Sequence, residues 1–564
     1  MTFVEQLLTN ISYDTKYIFT VPGRTVFPFL KHAKNCNITD IVCACETGAG
    51  FMADGYARAS NNYGVALTVS GPGFANVFPA LINACYDNSR VLFIVGGTES
   101  FLAGRNSFQD NSSNQLSSHQ MASPLTAYSC TLTAQNIEYQ YNNSMFYLKN
   151  YSLPVVMNIP IDIQNLKAAQ LPQSKKINRD FINIEALNRI KKIICNHDFM
   201  FVTGSRAIQA KSELTQLCEK YWILTAATLC SKAIISETLP NYLGIFGFGM
   251  SPMVFELITE QAPEFIITIG MDINERNTYK WANFSLSHVI HLDSEMSENS
   301  RDHTFISEGY ITSLADFFNS INNDTQIRQS LKVSTLARKK IISSLSTTFP
   351  MNVQHQDNYL LYTDHVISVI SDSFQQNTNF VTDSGLHRLY CAQLLQLNNS
   401  CGYFSSINNA HMGWAIPASI GVKLAEISNE CVCITGDGCM LMNGIEIQTA
   451  AKYNIKVLFI VINNGSYGAI KNANNNYPQL SLNEHHYEIK GHDWKLFANS
   501  LGLNAIQIHN ISELKDAIKI FINESSPLLL DVRCIYDSDI NINIYYESML
   551  AGVSQMKTEI ALVS

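Results

Sequence analysis

The chain is 564 residues long, 46% hydrophobic and 15% charged, enough to build about three globular domains with full cores. Its net charge of −9 argues against a sequence-independent binder of phosphate backbones. No apolar run reaches the roughly 18 residues of a membrane span, and the opening stretch carries Glu5 and Asp14 without a basic n-region, so neither a membrane anchor nor a signal peptide is expected. The 14 cysteines show no C-x-x-C spacing. Cys43/Cys45 and Cys431/Cys433 sit two apart in strand-like runs, where a free thiol behaves as a small core hydrophobe. Reduced thiols point to the cytoplasm.

Residues 41–58, IVCACETGAGFMADGYAR, predict a buried strand ending at Glu46 and then a helix. Gly48, Ala49 and Gly50 leave room there for a flat ring against the backbone. By itself Glu46 reads as a helix N-terminal charge. Residues 64–85 predict a second strand turning through Gly71-Pro72-Gly73 into a helix that carries Asn76. Asn106 to Gln109 lead into a Ser/Asn-rich stretch, which alone reads as a surface loop. The strand LPVVMNIPID closes a first domain over 1–170, and residues 165–182 are polar and Pro-containing, as in a linker.

In the middle segment, strands are predicted at 199–204, 264–270 and 288–293, separated by helical stretches. This pattern reads as a Rossmann-like domain over 183–325. Gly247-Phe248-Gly249 lacks the third glycine of a dinucleotide fingerprint. Residues 323–357 are polar and partly helical, and read as a second linker.

The third domain is expected over 358–545, with a tail over 546–564 able to fold across a site. At its centre, residues 431–468 read as strand, tight turn, helix over 443–453, and parallel strand. Gly436-Asp437-Gly438 and Asn463-Asn464 then fall at neighbouring strand ends, where ligands bind. Gly436 and Gly438 allow the backbone close to a diphosphate. Asp437, the Asn464 side-chain oxygen and a main-chain carbonyl near Ser466 are hard oxygen ligands suited to Mg²⁺.

The G-D-G and N-N elements, with Asp437 and Asn464 spaced 27 apart, resemble the thiamine diphosphate fingerprint. E-T-G-A-G-F-M-A-D-G-Y-A-R followed by S-G-P-G-x-x-N is similar to the pyrimidine-binding domain of such enzymes, most of all the acetolactate (acetohydroxyacid) synthase branch. The resemblance covers nearly the whole chain. It implies an α/β fold in which two thiamine-diphosphate-binding parallel-sheet domains flank a Rossmann-like middle domain. It gives Glu46 the hydrogen bond to N1′ of the aminopyrimidine and places Gly71, Pro72 and Asn76 beside it. Phe108 and Gln109 then line the reaction centre. Ser384, Gly385 and His387 take the place of the family's G-x-H turn, and Met412, 28 residues after Ser384, props the cofactor in its bent shape. Gly436, Asp437, Gly438, Cys439, Asn464 and Ser466 hold the diphosphate, with Asp437, Asn464 and Ser466 on the metal. D-I-N-E-R-N-T (272–278) resembles an element whose arginine faces the substrate channel and whose neighbours contact FAD. Arg276 is therefore a substrate-carboxylate candidate or a surface salt bridge, and FAD is left open. His387 reads equally as an ordinary satisfied histidine, and Met412 owes its role to register alone. The family's assembly implies a homodimer or homotetramer with shared active sites, acting on small 2-oxoacids, with no nucleic acid and no membrane.

After decarboxylation the cofactor-bound unit is either protonated to an aldehyde or joined to a second carbonyl. Decarboxylases of similar fold use an adjacent His pair in the first domain and a Glu six residues after the metal-binding Asn. This chain has only His119 near 105–125, and Ile470 at the second position, which favours carboligation. Departures from the synthase pattern fall on Cys45, on a lysine position near Ala127, and on Ala473, where synthases carry a tryptophan. They put the acceptor in doubt. Glu484, His485 and His486 lie in a nearby loop and read as solvated or as substrate contacts. A decarboxylase or C–C lyase on the same scaffold is the alternative, and a catalytically silent binding protein the third reading.

Overall fold

The computed structural model describes residues 1–60, 62–110, 117–167, 170–177, 181–278, 287–295, 306–345, 361–476 and 480–535. These form three sheets, each of six strands among the described residues, and every pairing in them is parallel. The first sheet comprises β1 (Tyr17–Thr20), β2 (Thr39–Val42), β3 (Gly64–Val69), β4 (Val91–Gly97), β5 (Tyr128–Thr131) and β6 (Val155–Pro160), in the order β2-β1-β3-β4-β6-β5. β3, β4 and β6 are buried at every position, as a parallel sheet covered on both faces requires.

The middle sheet comprises β7 (Phe199–Thr203), β8 (Thr225–Ala227), β9 (Tyr242–Ile245), β10 (Phe265–Ile269), β11 (His288–Asp293) and β12 (Glu308–Ile311). Its order, β12-β11-β10-β7-β8-β9, is that of a doubly wound nucleotide-type sheet. The third comprises β13 (Thr378–Thr382), β14 (Gly402–Ser405), β15 (Glu430–Gly436), β16 (Leu458–Asn463), β17 (Ala505–Ile508) and β18 (Leu528–Arg533). Its order, β14-β13-β15-β16-β18-β17, repeats the topology of the first sheet strand for strand.

Several expectations change in detail. The middle domain has six strands where the sequence shows three, because β8, β9 and β12 are only three or four residues long and lack runs of branched apolar side chains. Residues 325–344 form a helix that sends Ile327 and Leu331 into the middle-domain core, so this stretch is a packed element and not a linker. In the first linker, Leu171 is buried in the core and its N–H donates to Gln6 Oε1 at 2.8 Å, which straps this segment to the first domain. The helix expected over 443–453 is broken by a 3₁₀ turn at Gly444–Glu446. The boundary at 358 and the tail over 546–564 lie outside the described residues. Among the described residues no helix is long and apolar enough to cross a membrane. All 14 cysteines are free thiols.

Five helices place the site: α1 (Glu46–Ser60), α2 (Pro72–Tyr86), α3 (Leu386–Leu394), α4 (Ala415–Ala425) and α5 (Asp437–Asn443). α1 of the first domain and α4 of the third pack backbone to backbone. Glycine makes this possible: a Cβ on Gly55 would collide with the Ala418 carbonyl, and one on Gly421 with the Met52 carbonyl. Arg58 lies over the Trp414 ring at 4.6 Å, so the contact runs from 58 with 414, through 55 with 418, to 52 with 421. The two helices are antiparallel.

This close packing reverses the usual helix preference. In an open helix, Gly421→Ala would gain about 1 kcal/mol. Here the methyl meets a fixed backbone oxygen, and overpacking costs about 1–3 kcal/mol. We expect the variant to unfold at a lower urea concentration than wild type, with an unchanged slope.

Candidate active site

The first half of the site gathers at the ends of β2 and β3. Glu46 opens α1, and its Oε2 accepts from Asn76 Nδ2 at 3.1 Å. Thr47 Oγ1 donates to the Asn76 carbonyl, tying α1 to α2. Gly71 takes φ +66°, the left-handed region where glycine is favoured. Ser70 Oγ donates to the Gln109 carbonyl at 2.9 Å, which brings Gln109 against Gly71. Glu46 and Asn76 are thus brought together on one side, and Gly71, Pro72 and Gln109 on the other. Phe108, the residue before Gln109, is 78% exposed.

A residue that sequence reading missed sits directly behind Glu46. Glu446, fully buried in the 3₁₀ turn of the third domain, accepts from the Cys45 N–H at 3.0 Å and the Ala44 N–H at 3.2 Å. Thr449 Oγ1 donates to its other side at 2.9 Å. Burial raises the Glu446 pKa, and these donors offset some of the rise. Burial, with Glu446 beside it, also pushes the Cys45 thiol up to about 11, which leaves it an inert neutral group. A side chain on Gly48 would strike the Glu446 carboxylate. The only signal in the sequence was an acidic residue nine positions after Asp437, inside an otherwise apolar helix pattern.

The second half lies at the topological switch point of the third sheet, between β13 and β15. The turn after β13 carries Ser384, Gly385 and His387, and the turn after β15 carries Gly436, Asp437, Gly438 and Cys439. Asp383 fastens the surrounding segments, accepting from the Ser384 and Gly413 N–H groups at 3.0 and 2.8 Å and from Thr435 Oγ1 at 3.0 Å. Cys439 Sγ donates to the Ser384 carbonyl at 3.1 Å. Met412 Cε stands over Gly438, where a Cβ would come within 3.2 Å of it.

Asp437 is buried and joins β15 to the loop after β16. Its carboxylate accepts from the N–H groups of Gly438 at 2.8 Å, Gly465 at 2.7 Å and Ser466 at 3.3 Å. Asn464 Oδ1 accepts from the Ser466 N–H at 3.2 Å. Asn463 serves the sheet instead, its Nδ2 donating to Asp531 Oδ1 at 2.7 Å and to the His492 carbonyl at 3.2 Å. Among the described residues no cluster of three or more His, Cys, Asp or Glu is placed to hold a metal. A cation here would rest on the oxygen ligands of Asp437, Asn464 and Ser466, together with oxygens of a bound group.

Ser384 Oγ, His387 Nε2 and Arg388 Nε at this turn are buried and have no hydrogen-bond partner among the described residues. Burial, reinforced by the adjacent Arg388 charge, drives the His387 pKa down to about 3. The imidazole is therefore neutral and is not satisfied as an ordinary core histidine would be. Orphaned polar groups of this kind are uncommon in a buried turn. Beside two glycines, they fit the acceptor oxygens of a diphosphate.

Of the substrate candidates, Arg276 lies over the Phe248 ring at 4.8 Å, at the edge of the middle domain. Ala473 is partly buried against the third-domain core. Glu484, His485 and His486 form an exposed 3₁₀ turn. In the middle sheet, the crevice between β7 and β10 is filled from within. Arg206 donates to Asp272 Oδ1 and Asp293 Oδ2, both at 2.6 Å, and its N–H to the Gly270 carbonyl at 3.0 Å. Gly204 presses on the Met271 backbone. Burial alone would raise Asp293, but Arg206 outweighs it and holds this carboxyl at about 2.

The chain matches three models of one family: thiamine pyrophosphate enzyme, N-terminal TPP binding domain over 1–118, central domain over 186–318, and C-terminal TPP binding domain over 383–532. It belongs to the thiamine pyrophosphate enzymes. Among individual proteins it is 27% identical over 547 residues to an acetolactate synthase large subunit of Cyanidium caldarium, covering 92% of this chain and 91% of that one. The acetolactate synthase isozyme 1 large subunit of Escherichia coli is 24% identical, with 92% and 91% covered. An uncharacterised protein of Methanocaldococcus jannaschii is 26% identical, with 94% and 97% covered.

Burial sets Asp437 up to about 6, against the pull of its backbone donors. A metal binds the ionised carboxylate, so protons compete with it below that pH. For the metal-free protein we expect Mg²⁺-dependent cofactor loading, followed by calorimetry, to be level above pH 7 and to weaken by about tenfold per pH unit below pH 6. Loading that is flat down to pH 5 would remove Asp437 from the metal.

Proposed function

We propose that the protein is a thiamine diphosphate- and Mg²⁺-dependent carboligase. It decarboxylates pyruvate or a related 2-oxoacid and joins the remaining unit to a second carbonyl compound. The observation that carries this reading is the buried pair Ser384 Oγ and His387 Nε2, which have no partner among the described residues, with the His387 ring against Gly436 beside Asp437. When bound, the cofactor supplies the electron sink for cleaving the bond beside a carbonyl. The chain's own residues do the rest. Asp437, Asn464 and the Ser466 carbonyl would hold the metal, Ser384 and His387 would donate to the diphosphate, and Met412, beside Gly438, would pack against the cofactor. Glu46 holds a proton at the pyrimidine nitrogen. Glu446 fixes the first turn of α1 and so orients Glu46.

Carboligation is favoured over simple decarboxylation because the acids that would protonate the product are not at the expected positions. Ile470 is apolar and 46% exposed, and His119 Nδ1 is engaged with Ser129 Oγ at 2.7 Å. The free cysteines accord with a cytoplasmic enzyme. We further propose that no flavin binds in the middle domain, since a dinucleotide diphosphate would have to displace the Arg206–Asp272–Asp293 triad and separate the Gly204 and Met271 loops, which are in backbone contact.

The halves of the site are also proposed to meet between subunits. Met412 adjoins α4 at the level of Arg58, whereas Glu46 lies at the other end of α1, about 18 Å away along a helix rising 1.5 Å per residue. Leu441, Met442 and Ile445, each about half exposed beside the Asp437 turn, give a second copy an apolar surface.

The test is turnover of pyruvate with a panel of acceptor carbonyls. A 2-hydroxyketone is the expected product, and Glu46→Gln should retain cofactor but lose about 10²-fold or more in turnover. Acetaldehyde as the main product would place the enzyme among the decarboxylases. Full activity of the variant would remove Glu46 from the mechanism.

A further inference from the structure

The loops that leave β8 and β9 at the C-terminal edge of the middle sheet both close on α3, the helix whose first turn carries His387. Gly249, in the loop after β9, takes φ +80°, and a Cβ there would come within 3.1 Å of the Ala392 Cβ. The loop after β8 brings Lys232 to the far end of α3. Its ammonium donates to the Ala392 carbonyl at 3.3 Å and to the Leu395 carbonyl at 3.0 Å, and lies 5.8 Å from the centroid of the Tyr403 ring.

Lys232 and its counter-ion are both buried, at 4% and 9% exposure. Glu237 Oε2 accepts from Lys232 Nζ at 2.7 Å. The same carboxylate accepts from the Ala233 N–H at 3.2 Å and the Leu397 N–H at 3.3 Å, and the Glu237 N–H donates to the Leu397 carbonyl at 2.8 Å. Between the two charged residues, Ala233 takes φ +66°, which is disfavoured for a residue carrying a Cβ. Such a conformation persists only where the surroundings impose it. Here Glu237 imposes it, from the segment that it also fastens to Leu397.

A buried ion pair is weak evidence for stability, since apolar side chains of similar volume often serve as well. What an apolar residue could not do is supply donors to the carbonyls left open at a helix end. Lys232 does so, and places its positive charge where the helix dipole is negative. The diphosphate turn lies at the opposite end, where an anion is favoured. α3 has nine residues, about 13 Å at 1.5 Å per residue. Holding its last carbonyls therefore sets the direction of its first turn.

We propose that Lys232, held by Glu237, is a positioning residue for the cofactor: it anchors the C-terminal end of α3 so that Ser384 and His387 are presented to the diphosphate. The middle domain then serves the site by gripping this helix. The inference rests on the assignment of Ser384 and His387 under the proposed function.

Lys232→Met alone would leave Glu237 buried without its cation, so the test uses the double variant Lys232→Met/Glu237→Gln, whose amide oxygen still accepts an N–H. Cofactor-free protein is titrated calorimetrically with thiamine diphosphate in excess Mg²⁺. Binding is expected to weaken tenfold or more in the double variant, and the α3 amides to exchange their hydrogens faster. Leu331→Ala, in the middle-domain core, controls for a general loss of stability and should bind as wild type does. Should the double variant fail to fold, Lys232→Gln is read in its place, with at least a threefold loss expected. Equal binding by wild type and the Lys232 variants, or an equal loss in Leu331→Ala, overturns the proposal while leaving the diphosphate assignment intact. A wild-type protein that binds no thiamine diphosphate would defeat that assignment and this inference with it.

Discussion

Asp54 is the charge on which the joining of the two like-folded domains depends. Its side chain is fully buried in α1 and receives Arg58 Nε at 2.8 Å, Arg58 Nη2 at 2.8 Å, Asn83 Nδ2 at 2.9 Å and Trp414 Nε1 at 2.8 Å. Three of these donors belong to the first domain, and the fourth reaches across from the base of α4. A buried carboxylate tolerates this position only while its donors remain, since breaking such a pair costs about 3–5 kcal/mol. Around it, Gly55 and Gly421 let the two helix backbones touch. The result is a rigid antiparallel seam that fixes where every other element of the site falls.

From that seam the placement of the chemistry follows. At one end, the base of α4 leads back through Gly413 and Met412 to the Asp437 turn, with Gly413 bonded to Asp383. At the other, Glu446 closes the start of α1 through the Ala44 and Cys45 N–H groups. The third domain therefore packs behind Glu46 through Glu446. Under the proposed function, each complete site takes its two halves from different chains.

Much of this was legible in the sequence because it is local. GVALTV, CVCIT and KVLFIVI are apolar, branched and short, and all three became buried parallel strands. The turn at Gly71 announced itself because its φ of +66° favours glycine, and Gly438 because a Cβ there would crowd the Tyr467 ring and Met412. What stayed hidden depends on partners far away in the chain. Glu446 acquires its meaning from Cys45, 401 residues earlier, and Trp414 from Asp54, 360 residues earlier. β8, β9 and β12 are too short to show a period, and Thr-Ala-Ala or Glu-Gly-Tyr-Ile becomes a strand only because a neighbour offers its edge. The helix over 325–344 looked like a linker because few of its residues are buried, namely Ile327, Leu331 and Arg338.

The central claim is that a complete site needs one half from each of two chains. Its most direct measurement mixes two inactive chains, Glu46→Gln and Asp437→Ala, carrying different tags, and isolates the mixed dimer. One of its two sites then receives both wild-type halves, so the account predicts recovery of about half the wild-type activity per dimer, with cofactor bound at that site. Mixed dimers that are verified as such and remain inactive would place both halves in a single chain and contradict it.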